Sequence, residues 1–169
     1  MGTTPRDSVD RIREQWREVR PDIDMAPMDV IGRVSRLSRL IDRTLAENFG
    51  RFGIEIWMYD MLATLRRSGA PYELTAGELV RQSMVTTGAI TNRIDRLEQR
   101  GFVERASSSD RRKVIVRLTP IGFDLVEEIV GAHMATERQI LSALSPRQQR
   151  ELASLLRTAL LALGDRAPA

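Results

Sequence analysis

The sequence predicts a mostly helical protein with one small β-hairpin. Apolar residues recur at helical spacing through most of the 169 residues, and helix-capping residues open the periodic segments. Two short extended runs, at 102–105 and 114–118, are separated by a polar basic loop typical of a hairpin tip. Apolar residues make up 42 % of the chain, which is enough to bury a core, and the length favours one domain with appendages.

Composition excludes several classes of protein. The chain has no Cys and one His, so disulfides, thiolate metal sites and cysteine nucleophiles are excluded and an imidazole metal cluster has little scope. No catalytic constellation or phosphate loop emerges, so we predict no enzyme activity, no metal and no cofactor. No apolar run approaches the roughly 20 residues of a membrane span, and Asp7 and Asp10 interrupt any signal-peptide pattern. We therefore expect a cytoplasmic protein without membrane contact.

Positive charge is concentrated in one segment. Residues 81–117 contain nine basic and four acidic residues, whereas the rest of the chain contains 17 basic and 19 acidic residues. Such clustering is typical of a nucleic-acid-binding surface. An alternative is arginine enrichment from base composition, because 25 of the 26 basic residues are Arg. That alternative explains the choice of Arg over Lys but not the clustering.

The first 53 residues predict two helices. Thr4-Pro5 is a plausible helix start, apolar residues including Trp16 recur at helical spacing, and Pro21 ends the run, so we assign 1–28 to an extension helix and linker. Asp29 is a plausible N-cap for a second helix. The other face of that helix carries four arginines, which we interpret as a solvated surface: Arg33, Arg36, Arg39 and Arg43.

Residues 54–118 predict a winged helix-turn-helix. A helix over 54–68 has apolar residues on both sides of Asp60, which is therefore expected to be removed from bulk water and to need a partner. The capping box Thr75–Glu78 opens a short helix, and Thr86 caps a second helix that runs to Arg100. The basic hairpin that follows supplies the wing, so the sequence predicts a DNA-binding domain.

The second helix of this motif has an apolar stripe and an opposite polar face. Polar and basic side chains on that face, and at the hairpin tip, can hydrogen-bond base edges and phosphates. The alternatives are an ordinary polar helix and a solvated loop. The residues predicted to contact DNA are Thr86, Thr87, Thr91, Asn92, Arg96, Arg111, Arg112 and Lys113.

Two long helices follow the hairpin. Thr119-Pro120 opens one that reaches about Ser142, and Ser145-Pro146 opens another that reaches about Leu163. Their apolar stripes, like that of the second helix, are too extensive to stay exposed in a monomer. We therefore predict that residues 29–53 and 119–169 are dimerisation helices.

The run SMVTTGAITNRIDRLEQRGFVERASSSDRRKVIVRLTPIG resembles the DNA-binding core of the MarR family of bacterial transcriptional regulators. The resemblance covers roughly residues 30–163. It implies a homodimer that binds a pseudo-palindromic duplex operator, usually as a repressor. It also implies that Arg112 contacts the minor groove.

The segments WREVRPDIDMAPMDVIGRVSRL, YDMLATLRRSG and TNRIDRLE are similar to the urate-responsive branch of this family. The resemblance implies a ligand site formed by Trp16, Asp60, Arg93 and Arg105. A urate-like aromatic anion would disturb an Asp60–Arg93 pair and release DNA. Three alternatives remain open: Trp16 is only a docking anchor, the pair is only structural, or the regulator answers another ligand (a phenolic acid, an antibiotic or a metabolite) or none.

Overall fold

A computed structural model describes residues 5–83, 90–106 and 113–166. These residues contain seven helices and one three-stranded antiparallel sheet, which confirms the predicted mostly helical class. The chain divides into two compact units, Met1–Glu47 and Asn48–Ala169, and each is described by itself. This division falls inside the second helix, and the functional boundaries at 28, 53 and 118 stay a prediction.

Helix α1 (Ser8–Val19) begins after Asp7 rather than at the predicted Thr4. The Asp7 carboxylate accepts hydrogen bonds from the backbone N–H groups of Val9, at 2.8 Å, and Asp10, at 3.1 Å. The Asp10 carboxylate in turn accepts from the Asp7 N–H at 3.0 Å. This reciprocal box satisfies N–H groups that a helix start leaves unpaired, and therefore fixes the first turn.

Helix α2 (Ala26–Gly50) also begins at a different residue from the one predicted. The Asp24 carboxylate accepts a hydrogen bond from the Ala26 N–H at 2.9 Å. Pro27 falls in the first turn, where a missing N–H costs no helical hydrogen bond. The prediction that Asp29 caps this helix is therefore wrong, and Asp29 lies inside the first turn.

Within the first unit, α1 packs closely on α2 where Val9 lies against Gly32. Val9 is only 2 % exposed. A Cβ added to Gly32 would lie 3.1 Å from Cγ1 of Val9, so the glycine allows the two helices to approach closely.

Arg33 departs from the solvated row to which the sequence analysis assigned it. Its guanidinium donates to Asp7 and Asp10, each at 2.8 Å, and to the Asp29 carboxylate at 3.1 Å. Arg13 also pairs with Asp29. The carboxylates, Asp10 first, raise the pKa of Arg33. Arg13 and Arg33 together offset two of the three carboxylate charges where α1 meets α2.

The second unit contains the predicted winged helix-turn-helix motif. Its elements are α3 (Ile56–Arg67), β1 (Glu73–Thr75), α4 (Ala76–Gln82), α5 (Ile90–Gln99), β2 (Val103–Ala106) and β3 (Ile115–Leu118). The sheet order is β1-β3-β2, with β3 in the centre and antiparallel to both neighbours. The sequence analysis missed β1, because three residues are too few to show strand alternation.

Fully buried apolar side chains from every layer of this motif meet in one core. They are Met61, Leu62 and Leu65 on α3, Leu79 on α4, Leu97 on α5, Val116 on β3, and Ile129 on the following helix. The predicted capping box of α4 is present, with the Glu78 N–H donating to Oγ1 of Thr75 at 3.2 Å. The core fixes α5 against α3 and α4, so the exposed side of α5 is set by packing.

Helices α6 (Pro120–Ile140) and α7 (Pro146–Ala162) begin at the predicted caps, Thr119 and Ser145. None of the residues of α7 is buried. Large apolar side chains exposed on α2 and around α7 are Val30, Ile31, Val34, Leu37, Leu40, Leu155, Leu156, Leu160, Leu161 and Leu163. No helix in the described part of the chain has the length and apolar character required to cross a membrane.

The single histidine of the chain, His133, is buried on α6. Its ring centroid lies 5.1 Å from that of Phe49 and 4.8 Å from that of Tyr59. This aromatic packing indicates a structural role for His133.

Candidate nucleic-acid interface

Helix α5 presents its polar side to solvent. Ile94 and Leu97 are buried, whereas Thr91, Asn92 and Gln99 are exposed. The exposed side chains are hydrogen-bonding groups of the kind that reach base edges and phosphates. The predicted contacts Thr86 and Thr87 lie in 84–89, outside the described residues.

A tight turn connects α5 to the wing strands. Gly101 adopts a positive φ of 72°, which a residue with a side chain rarely adopts. The Gly101 N–H donates to the Glu98 carbonyl at 2.8 Å, and the Phe102 N–H donates to the Leu97 carbonyl at 3.0 Å. These bonds close the helix end, next to the predicted limit at Arg100, and lead directly into β2.

Strands β2 and β3 form the stem of the wing. Arg117 lies opposite Glu73 on one neighbouring strand and Glu104 on the other. Its guanidinium is 2.6 Å from the Glu73 carboxylate and 3.6 Å from that of Glu104. Lys113 is exposed just before β3. The predicted contacts Arg111 and Arg112 lie in 107–112, outside the described residues.

Arg96 is exposed on α5, but its guanidinium already has partners. It pairs with Glu55, immediately before α3, and lies 4.9 Å above the ring of Trp57. The Trp57 indole N–H also donates to Glu55, at 2.8 Å, and this bond together with Arg96 lowers the pKa of Glu55. The sequence analysis missed Glu55 and Trp57 as partners, because neither the spacing nor the motif relates them to α5.

Arg93, a predicted ligand-site residue, faces α3. Its guanidinium carbon is 5.5 Å from the centre of the Trp57 ring. Its Nη1 is buried and has no hydrogen-bond partner within the described ranges. Asp60 lies half-buried on α3, one turn beyond Trp57. The Asp60–Arg93 ion pair stays a prediction.

Arg105, predicted for the same ligand site, lies on β2 and reaches α5. Its guanidinium pairs with Asp95 and Glu98, and its backbone N–H donates to the Glu98 carboxylate at 3.2 Å. The hydrogen bond to Asp95 is the main cause of the raised pKa of Arg105. The sequence analysis did not foresee these partners, although the i, i+3 spacing of Asp95 and Glu98 places both on one side of the helix.

The remaining ligand-site prediction, Trp16, belongs to the first unit. It lies on α1 and its residue surface is 46 % exposed. Among the described residues, no group of three or more His, Asp and Glu side chains is arranged to hold a metal ion.

Comparison with known proteins agrees with this geometry. A model of the MarR family matches residues 58–114, from within α3 to the residue before β3. The HTH-type transcriptional regulator PecS of Dickeya dadantii is 44 % identical over 149 residues, covering 88 % of this chain and 90 % of PecS. The multiple antibiotic resistance protein MarR of Salmonella typhimurium is 32 % identical, covering 59 % of this chain and 73 % of that protein.

A solved structure is similar over most of the fold. A mutant MarR of Escherichia coli, crystallised with operator DNA, superposes with a TM-score of 0.70 at 26 % identity. The match covers 86 % of this chain and 97 % of that one. The family consists of transcription regulators and not of enzymes. The chain therefore belongs to the MarR family of winged helix-turn-helix, DNA-binding transcription regulators.

Proposed function

We propose that the chain is a homodimeric repressor whose DNA binding is relieved by a small aromatic anion such as urate. It acts in the cytoplasm and is associated with the nucleoid when it is bound to duplex DNA. Each subunit reads one half of a pseudo-palindromic operator, with half-sites about one helical turn apart.

The DNA contacts of this proposal come from α5 and the wing. Thr91, Asn92 and Lys113 are exposed there, and Thr86, Thr87, Arg111 and Arg112 are assigned from the sequence. Arg96 joins this set only by sharing its guanidinium with Glu55. The Escherichia coli relative, crystallised with operator DNA, supports duplex DNA as the partner.

The homodimer is supported by the exposed apolar surfaces of α2 and α7. Val30, Ile31 and Leu40 are each at least 60 % exposed on α2, and Leu155 and Leu163 are at least 66 % exposed at the end of the chain. Apolar surface on this scale marks an interaction site in a monomer. A second copy of the chain would cover both surfaces symmetrically.

One observation supports an anionic effector. The Nη1 atom of Arg93 is buried and has no hydrogen-bond partner among the described residues. A buried donor without a partner is costly, and an anionic oxygen would satisfy it. Arg93 lies on α5, so a ligand bound to it would act directly on the DNA-reading helix. Asp60, Arg105 and the exposed ring of Trp16 enter this proposal from the family resemblance.

A second candidate keeps the regulator and changes the ligand. The guanidinium carbon of Arg93 lies 5.5 Å from the centre of the Trp57 ring, and a guanidinium binds carboxylates and other planar anions as well as urate. A phenolic acid, an antibiotic, another metabolite or no ligand would then replace urate.

Competition for bound DNA tests the proposal. Fluorescence anisotropy would follow release of a labelled duplex, selected by the protein from a random pool, on addition of urate, xanthine, salicylate or succinate. We expect urate to weaken DNA binding by about 5- to 150-fold, the usual range of allosteric coupling. Arg93→Ala should lose the response, whereas Arg138→Ala, which removes an exposed charge on α6, should keep it. Release by salicylate alone would favour the second candidate, and no release by any of the four would contradict the effector proposal.

A further inference from the structure

The guanidinium of Arg105 bridges the recognition helix α5 and the wing strand β2. It is held by two carboxylates, Asp95 and Glu98, while the backbone N–H of the same residue donates to Glu98. All three side chains are between 36 % and 45 % exposed, so the cluster lies at the surface rather than in the core. Three contacts on one residue restrain the strand more than a single surface pair would.

The Arg105 contacts lie across the short turn that connects α5 to β2. Helix α5 ends at Gln99, β2 begins at Val103, and the turn between them is built on Gly101. Arg105 lies past that joint, one residue before β2 ends at Ala106. Its side chain returns ten residues along the chain to Asp95. The cluster therefore adds a restraint on the direction in which β2 leaves α5, beyond the turn at Gly101 and the pairing of β2 with β3.

We propose that Asp95 and Glu98 are positioning residues for DNA binding, which fix the wing to the recognition helix through Arg105. The inference deepens the proposed function, because it requires that the wing contacts DNA. With the cluster intact, helix and wing dock as one body and the wing cations meet the phosphates without a further loss of conformational freedom. With the cluster broken, the wing is ordered only when it binds DNA. The entropy cost of that ordering weakens the complex.

The sign of the effect separates this role from simple electrostatics. Two carboxylates beside a DNA-reading helix repel phosphates, so removing one should tighten binding if charge alone mattered. A positioning role predicts weaker binding. Without the Glu98 carboxylate, Arg105 holds the wing less firmly, and the wing cations contact the phosphates less well. The slope of log affinity against log salt falls by about 0.9 for each phosphate that the protein no longer neutralises. Loss of stability alone lowers the folded fraction and leaves that slope unchanged.

The experiment measures the affinity of Glu98→Gln for the selected duplex from about 0.05 to about 0.4 M salt. We expect binding roughly fivefold weaker at about 0.15 M salt and a salt slope shallower by about 0.9, although no basic residue has been removed. Arg105→Lys should behave in the same way, because it keeps the charge but cannot bridge two carboxylates as the planar guanidinium does.

Glu104→Gln is the matched control. Glu104 precedes Arg105 on the same strand, points to the opposite face, and makes a 3.6 Å pair with Arg117, which also binds Glu73. We expect equal or tighter binding and an unchanged slope. If Glu98→Gln binds as Glu104→Gln does, the inference is wrong.

Two further readouts keep the outcomes apart. If Glu98→Gln lowers the melting temperature strongly, Asp95→Asn replaces it, because it removes the other carboxylate and must show the same change in slope. A wild-type protein that selects no duplex would contradict the proposed function itself. If the wild-type protein binds the duplex, and Glu98→Gln, Asp95→Asn and Arg105→Lys all keep its salt slope, only the positioning role is contradicted.

Discussion

The unit Met1–Glu47 is held together mainly by ion pairs, whereas the unit Asn48–Ala169 is held together by an apolar core. Among the described residues, every buried apolar side chain except Val9 belongs to the second unit. In the first unit, Arg33 alone donates to three carboxylates, while much of the apolar surface of α2 stays exposed.

This difference teaches which part of the chain can fold alone. Burial of apolar side chains contributes about 1.5–3 kcal/mol each, and the second unit combines many of them. Ion pairs near the surface contribute little and weaken in salt. We therefore expect α1 to open at lower cost than the DNA-binding domain, and we expect the exposed face of α2 to require a partner. Three changes test this contrast, from the largest effect to the smallest.

Gly122→Ala should give the largest loss of unfolding free energy, because Gly122 lies in the closely packed second unit. Gly122 lies in the first turn of α6, and a Cβ there would stand 2.0 Å from the backbone oxygen of Phe102. The backbone at Gly122 and that at Phe102 cannot move apart without disturbing the turn between α5 and β2. We expect a destabilisation of about 1–3 kcal/mol or more, measured by urea unfolding followed by circular dichroism.

Gly131→Ala in the same helix is the control for that change. Nothing lies within 4 Å of a Cβ at this position. It should stabilise the protein by about 0.5–1 kcal/mol, since alanine favours a helix over glycine. Equal effects of the two substitutions would show that the close approach of α6 to Phe102 is not important.

Acid should open α1 before it unfolds the second unit. The hydrogen bonds that Asp7 and Asp10 exchange at the helix start, with Arg33 beside them, lower the pKa of both carboxyls below the ordinary 3.8. A lowered folded-state pKa contributes stability that is present above 3.8 and is lost as the pH falls through the folded value. Amide hydrogen exchange should therefore show α1 losing protection below about pH 4. Arg33→Gln should produce a smaller loss at about pH 7, because it removes the guanidinium and leaves the hydrogen bonds of the helix start in place. Protection of α1 that is independent of pH would contradict this account.

Arg43→Gln should have the smallest effect on amide protection. Comparing it with Arg33→Gln separates the contribution of the Arg33 ion-pair cluster from that of a single surface pair. Arg43 and Glu47 form a single pair at 3.3 Å on α2, and both side chains are at least 66 % exposed. Such pairs often contribute nothing measurable. Amide protection along α2 should match the wild type, and a loss as large as that of Arg33→Gln would show that the Asp7–Asp10–Asp29 cluster has no special role.

The sequence predicted best where local rules act alone. The caps at Thr75, Thr119 and Ser145 were correct, because a capping side chain bonds within three residues of itself. The inward stripe of α5 followed from helical periodicity. The start of α1 was misplaced by three residues and that of α2 by four, since several acids near each start compete for the same N–H groups.

What only the tertiary structure decided is the pairing of charges between elements. The sequence by itself determined the family, the order of the helices and of the two wing strands, and the concentration of cations between 81 and 117, because each follows from local pattern and composition. It could not indicate that Arg96 turns to Glu55, or that Arg105 turns to Asp95 and Glu98. A long, flexible guanidinium can reach many carboxylates, and the packing of helix on helix and strand on helix selects the one it meets.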